Sequence, residues 1–175
     1  ASGRGAGEAA GRSGGAGPGR GGRAGAVSGP LPMSSGSVSI DGKTSGQTAP
    51  LQSIRNGVGM LTEDRKAEGL MLNMNIAENI SAASLDEIAS GLFLDRRREF
   101  ALAAREMEAF KVAAPGPLTK VLGLSGGNQQ KVLFGRWVHA CKKVLLLDEP
   151  TRGVDVGAKA EIYRLIRGLA DQGLA

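Results

Sequence analysis

Cysteine and histidine each occur once in the 175 residues, as Cys141 and His139. One thiol excludes an internal disulfide framework and argues against a cysteine-based metal cluster. That usage suits a reducing compartment. Aromatic residues make up only 3% of the chain: Trp137, Tyr163 and four phenylalanines. No apolar run approaches the ~20 residues of a membrane helix. The first residues lack the apolar stretch of a secretory signal. These absences predict a cytosolic chain that would serve a membrane only through a partner.

Glycine and positive charge are present but unevenly placed. Twelve of the 28 glycines fall within residues 1–30. Residues 1–32 hold four arginines against Glu8, so most of the formal net charge of +5 sits there. The basic character is thus a property of one end, and no nucleic-acid partner is expected. With one Val and one Leu, residues 1–32 cannot bury enough apolar surface to offset their ordering entropy. They read as a disordered Gly/Ala/Arg segment, and 33–175 as the folded part.

From Met33 the patterning becomes globular. Alternation at Ser37-Val38-Ser39-Ile40 before Asp41-Gly42 predicts a strand entering a tight turn. Residues 50–57 suit a short helix ended by Gly57, and 58–61 a brief strand. A charged loop is expected over 62–69. Residues 74–112 read as helical: one helix capped by Asn75 and carrying Ile76, Ile80 and Ala83, and a second over about 95–112. The second has Phe100, Ala103, Ala104, Met107 and Phe110 on one stripe. Arg96, Arg97 and Arg98 form a solvated face at its start. Residues 122–128 are a loop before a helix over 129–141. Val144-Leu145-Leu146-Leu147 is a buried central strand. A further helix spans 157–169, with a strand expected after it, so the end reads as a truncation.

Three segments carry chemistry. In Leu124-Ser125-Gly126-Gly127-Asn128-Gln129-Gln130-Lys131, two glycines permit close backbone approach, Ser125 offers a hydroxyl, and a helix start directs its free N–H groups at the loop. Such a constellation binds anions, phosphates among them. In Val144-Leu145-Leu146-Leu147-Asp148-Glu149-Pro150, a strand delivers two acids to the sheet edge where ligands bind in open α/β sheets. Asp148 is placed to hold Mg²⁺ through water, and Glu149 to polarise an attacking water. In Thr151-Arg152-Gly153-Val154-Asp155, the last acid could cross to a facing subunit and could cap the next helix, and both readings can hold at once. His139 and Cys141 are expected to pack or to face solvent, without catalytic roles.

In this order and spacing, LSGGNQQK (124–131), VLLLDEP (144–150) and TRGVDVGAKAEIYRLI (151–166) resemble the ATP-binding subunits of ABC transporters. More narrowly, they resemble the C-terminal half of the carbohydrate importers that carry two ATPase halves in one chain. TEDRKAEGLMLNMNIAEN (62–79) resembles that half's Q-loop region, with Glu63 in the usual glutamine position. The resemblance covers about 33–175. It implies an α/β P-loop NTPase-like core with a helical insert (about 75–113), incomplete at both ends. ATP and Mg²⁺ are the implied cofactors. The implied partners are a second nucleotide-binding half, membrane permease subunits and, indirectly, a periplasmic sugar-binding protein. The implied location is the cytoplasmic face of the plasma membrane. Ser125, Gly126, Gly127 and Gln129 belong to the segment that completes a partner's nucleotide site. Asp148, Glu149 and Glu63 border this half's own site, and Asp155 could reach a facing subunit.

The family's phosphate loop falls in register with Gly14-Gly15-Ala16-Gly17-Pro18-Gly19-Arg20-Gly21. Gly17 and Gly19 keep the loop glycines, Arg20 replaces the phosphate-neutralising lysine, and Gly21 lacks the magnesium-binding hydroxyl. The γ-phosphate switch residue would lie beyond Ala175. The chain alone is therefore expected to hydrolyse ATP negligibly. Two other readings share these motifs: a non-transport ABC-class ATPase, and an inactive fragment of a broken gene.

Overall fold

The computed structural model describes residues 10–12, 28, 37–40, 42–45 and 49–175. Strands β1 (Ala10–Arg12), β2 (Ser37–Ile40) and β3 (Lys43–Ser45) pair in that order as an antiparallel sheet. Gly42 supplies the left-handed residue of the β2–β3 turn (φ 73°). Helix α1 (Pro50–Arg55) starts with Pro at its first position, where the missing N–H costs nothing. Strand β4 (Val58–Leu61) follows at once.

One wide helical turn (Arg65–Gly69) comes next, closed by Leu70 N donating to Arg65 O at 2.7 Å. Asp64 caps it, its carboxylate accepting from the amides of Lys66 and Ala67. Helix α2 (Ile76–Ser81) opens with a reciprocal cap. Asn75 Oδ1 accepts from Glu78 N, and Glu78 accepts from Asn75 N, each at 2.9 Å. Then come α3 (Leu85–Ile88), a hairpin of β5 (Ala89–Ser90) and β6 (Phe93–Leu94), and α4 (Arg96–Ala109). A short turn (Val121–Gly123) leads to α5 (Gly126–Ala140), β7 (Val144–Leu147) and α6 (Val156–Asp171). Among the described residues, no helix is long and apolar enough to cross a membrane.

The core forms where α5 packs on β4 and on the helices of 76–109. Val132, Leu133 and Phe134 of α5 are fully buried with Leu61, Ile76, Ile80 and Ile162. Each such side chain contributes about 1.5–3 kcal/mol by leaving water. β4 and β7 run parallel, with Leu61 opposite Leu147. On its other edge β7 meets the chain end: Leu145 N donates to Ala175 O (2.8 Å) and Ala175 N to Lys143 O (2.9 Å). The tetrad expected to be a buried central strand is thus paired along its length with β4 and touches the chain end through Leu145 alone, with Val144 and Leu145 buried and Leu146 and Leu147 half-buried. Gly173 (φ 93°) turns the chain after α6, with Leu174 N bonded to Leu169 O and Gly173 N to Ala170 O.

The structure corrects four expectations. Residues 65–69 of the 62–69 segment are helical rather than loop, because Asp64 caps the amides of Lys66 and Ala67. The helical reading of 74–112 is interrupted by the 89–94 hairpin, and Ala83 lies outside α2. In α4 the buried positions are Glu99, Leu102, Ala103, Glu106 and Met107, while Ala104 is exposed. Two glutamates face inward there because Glu99 bonds Ser81 and Arg96, and Glu106 bonds Arg105. Finally, α5 begins at Gly126, three residues before the expected start, because Ser125 caps it.

Candidate functional site

The parallel register of β4 and β7 brings two sequence-distant acidic regions to one sheet edge. Leu61 and Leu147 end their strands side by side, and Asp148 N donates to Leu61 O at 3.0 Å. Thr62-Glu63 and Asp148-Glu149 therefore leave the sheet together. Asp148 is half-buried and Glu149 exposed. Glu149 adopts a left-handed backbone (φ 47°), a conformation that costs a non-glycine residue about 1–2 kcal/mol. Such strain concentrates where a side chain must be aimed. Glu63 pairs with the Arg152 guanidinium from the loop after β7.

The start of α5 stands beside that loop. Ser125 Oγ accepts from Asn128 N (3.4 Å) and from Asn128 Nδ2 (3.1 Å). Asn128 Oδ1 accepts from Ala113 N at 2.9 Å, tying the helix start to the chain leaving α4. The first intrahelical bond is Gln129 N to Ser125 O. The amides of Gly126 and Gly127 precede it, at the positive end of the helix dipole. Both glycines are tightly placed. A Cβ on Gly126 would lie 2.8 Å from Arg65 Nη2 and 3.1 Å from Gly153 O, and one on Gly127 would lie 2.9 Å from Ala158 Cβ. The close approach these glycines permit thus includes the chain's own 151–158 segment.

Gln129 is buried, its amide donating to Val121 O (3.1 Å) while its Oε1 accepts from Arg65 Nε (3.5 Å). Asp155 is exposed and caps α6, accepting from Ala158 N at 2.9 Å. The capping reading for Asp155 is therefore realised. Gly17, Gly19 and Arg20 lie outside the described residues. Among the described residues, no group of three His, Cys, Asp or Glu side chains forms a metal cage. Magnesium does not need one: it commonly uses one or two carboxylates with water and substrate phosphates. The hard oxygens of Asp148 and Glu149 fit that donor type.

Sequence reasoning missed Arg65. In the run Glu63-Asp64-Arg65-Lys66 nothing separates it from its solvated neighbours. Yet it is buried and donates to Arg152 O (2.6 Å) and Gly153 O (3.0 Å). Arg136 stands at helical spacing with Val132, Leu133, Trp137 and Ala140, a position that gives no hint of its partners. That side chain, buried in α5, donates to Asn79 O (2.6 Å), Asn79 Oδ1 (2.8 Å) and Gly69 O (2.5 Å). Burial pulls its pKa down to about 10, which leaves it charged at neutral pH. The arginines of the 96–98 run are exposed, as expected, with Arg96 paired to Glu99 and Arg98 to Asp95. His139 is enclosed: Nδ1 accepts from Arg105 Nη2 (3.0 Å), and Nε2 contacts Glu87 at 3.0 Å without hydrogen-bond alignment.

The fold is that of known ATP-binding cassettes. A nucleotide-free cassette from an ABC transporter matches with a TM-score of 0.72 at 20% identity, over 87% of this chain and 62% of that one. Another cassette, in its ADP conformation, matches with a TM-score of 0.71 at 21% identity, over 89% and 63%. The chain is 46% identical over 141 residues to a ribose/galactose/methyl galactoside import ATP-binding protein of Rhizobium etli, covering 81% of this chain and 27% of that protein. It is 43% identical over 150 residues to the ribose import ATP-binding protein of Geobacillus kaustophilus, covering 86% and 30%. The chain thus spans less than a third of the length of these relatives. The sequence profile of the ABC transporter family matches residues 5–152. The two strand ends carrying acids, the capped glycine helix start and the profile over most of the chain place it in the ABC transporter family.

Proposed function

We propose that this chain is part of an ATP-binding subunit of a sugar importer, and that it supplies the Ser125, Gly126 and Gly127 segment in trans to a nucleotide held by a second nucleotide-binding half. The observation that carries the reading is the helix start itself. Two free backbone amides at a positive dipole end, behind an exposed Ser125, suit the terminal phosphate of a nucleotide bound by a facing surface. The names of the relatives point to ribose or galactose import.

In this reading Asp148 holds Mg²⁺ through water beside the phosphates, and the ion would offset their charge. Glu149 orients water, Glu63 occupies the place of the Q-loop glutamine, and Asp155 faces the partner half. Gln129 acts from behind the helix start, where its side chain is held. Gly17, Gly19 and Arg20 would cradle phosphates of this half's own site. ATP turnover is coupled to membrane permease subunits through the 62–69 segment and the helices of 76–109. A periplasmic sugar-binding protein delivers the sugar, and the subunit sits at the cytoplasmic face of the membrane. The longest helix in the 76–109 region has 14 residues, which suits a transporter-type insert better than a long coiled coil.

The test is Ser125→Arg in a full-length transporter assembly carrying this segment. A bulky cation in the nucleotide sandwich is expected to lower ATP turnover at least about a hundredfold, the scale of removing a positioned phosphate contact. Turnover retained at the wild-type rate would defeat the trans assignment.

A further inference from the structure

Arg65 enters the site from the turn after β4 and touches both of the other segments that form it. Its Nη1 and Nη2 donate to two successive carbonyls, Arg152 O (2.6 Å) and Gly153 O (3.0 Å). Its Nε faces Gln129 Oε1 in α5 at 3.5 Å. A planar five-donor fork can serve both carbonyls and the amide together, and a lysine ammonium cannot. The two carbonyls converge on one guanidinium because Gly153 is left-handed (φ 63°). The contact is closed from the other side: the Arg152 side chain pairs with Glu63, two residues before Arg65. The 63–65 and 152–153 segments are thus stitched twice. Gly126 fits against the same guanidinium, which leaves no room for a Cβ.

We propose that Arg65 is a positioning residue that locks the 151–154 loop to the start of α5, fixing the acidic strand ends and the Ser125, Gly126, Gly127 segment in one relation. Its effect on ATP turnover rests on the function proposed above; its structural effect does not. Two arms separate these. In the first, hydrogen exchange is followed in the 175-residue chain for wild type, Arg65→Lys and Gly126→Ala. Both variants are expected to speed exchange of amides 152–158 about tenfold or more, while amides of α4 keep their rates. Unchanged exchange at 152–158, or equal acceleration throughout the chain, would overturn the proposal. Gly126→Ala displaces the guanidinium without removing it, so the arm stands even where an Arg65 variant fails to fold.

In the second arm, ATP turnover is measured in a full-length transporter assembly. Arg65→Lys is expected to lower kcat about tenfold while KM for ATP stays within about twofold, as for loss of positioning rather than binding. Turnover unchanged in spite of a loosened loop would overturn the link to chemistry. A wild-type assembly without ATPase activity would instead sink the proposed function and leave the exchange result to decide Arg65.

Discussion

Cys141 shows how packing, and not residue type, sets reactivity. The side chain is buried against β4, so close that a Cβ on Gly59 would lie 2.7 Å from its sulfur. Burial pushes the thiol pKa from 9.0 up to about 12, because the thiolate would lose its hydration. At pH 8 the folded chain is expected to react with iodoacetamide at least about a hundredfold more slowly than the urea-unfolded chain. Mass spectrometry of timed aliquots checks this. The linkage follows the same sign: the contribution is complete below the unfolded thiol's pKa and is lost as pH rises toward the folded value. Urea titrations should therefore show wild-type stability falling above about pH 9 more steeply than that of Cys141→Ala. The sequence left Cys141 to pack or to face solvent, and the structure buries it. The same reading could not find Arg65, whose importance lies wholly in carbonyls 87 and 88 residues away.

At the scale of elements, α4 ends in a way its sequence hides. Phe110, Lys111 and Val112 form a helix-ending turn in which Val112 N bonds Met107 O (2.8 Å) and Lys111 N bonds Glu108 O (3.1 Å). Lys111 occupies its left-handed position (φ 51°), where glycine is preferred. Its carbonyl accepts from Lys131 Nζ, whose other contact is Glu161 at 2.8 Å. The hydrogen bond with Lys131, and then its charge, holds the Glu161 carboxyl below the usual range. Lys111→Gly keeps the carbonyl and removes the strain. It is expected to stabilise the chain by roughly 0.5–1 kcal/mol, read as a higher urea midpoint at unchanged slope. The helix itself was legible from its periodicity. Its end is expected near 112 rather than at Ala109, because a lysine in a left-handed turn leaves no local signal. The early start of α5 escaped for a related reason: glycine is a poor helix former, and Gly126 and Gly127 are helical only because Ser125 caps them and the 151–158 segment packs on them.

For the molecule as a whole, Arg136 joins the α5–β4 layer to the helices of 76–109. It reaches Gly69 O at the end of the wide turn and two oxygens of Asn79 in α2. Asn79 in turn bonds Met71 N and O. No carboxylate faces the guanidinium in these contacts, so three carbonyl-type oxygens hold it. Arg136→Ala takes this donor from Asn79 O and Gly69 O, leaves Asn79 Oδ1 with Met71 N, and opens a cavity. It is expected to destabilise the fold by about 3 kcal/mol or more, measured by denaturant unfolding. Unfolding within 0.5 kcal/mol of wild type, on the scale of surface substitutions, would contradict the role given to Arg136.

The strand at 144–147, the capped helix at Asn75, the helices that became α4, α5 and α6 and the residue types of the 124–131 and 148–155 segments are legible in the sequence alone. They are set by local capping, by runs of apolar residues and by motif spacing, all of which act over a few turns of chain. Only the tertiary structure decided which acids share a sheet edge, which arginines are buried, and what fills the space beside Gly126. Those outcomes depend on the register of β4 against β7 and on donors meeting carbonyls across more than fifty residues. A guanidinium carries no mark in the sequence of where its acceptors will be, because its burial becomes favourable only once the fold has brought them together.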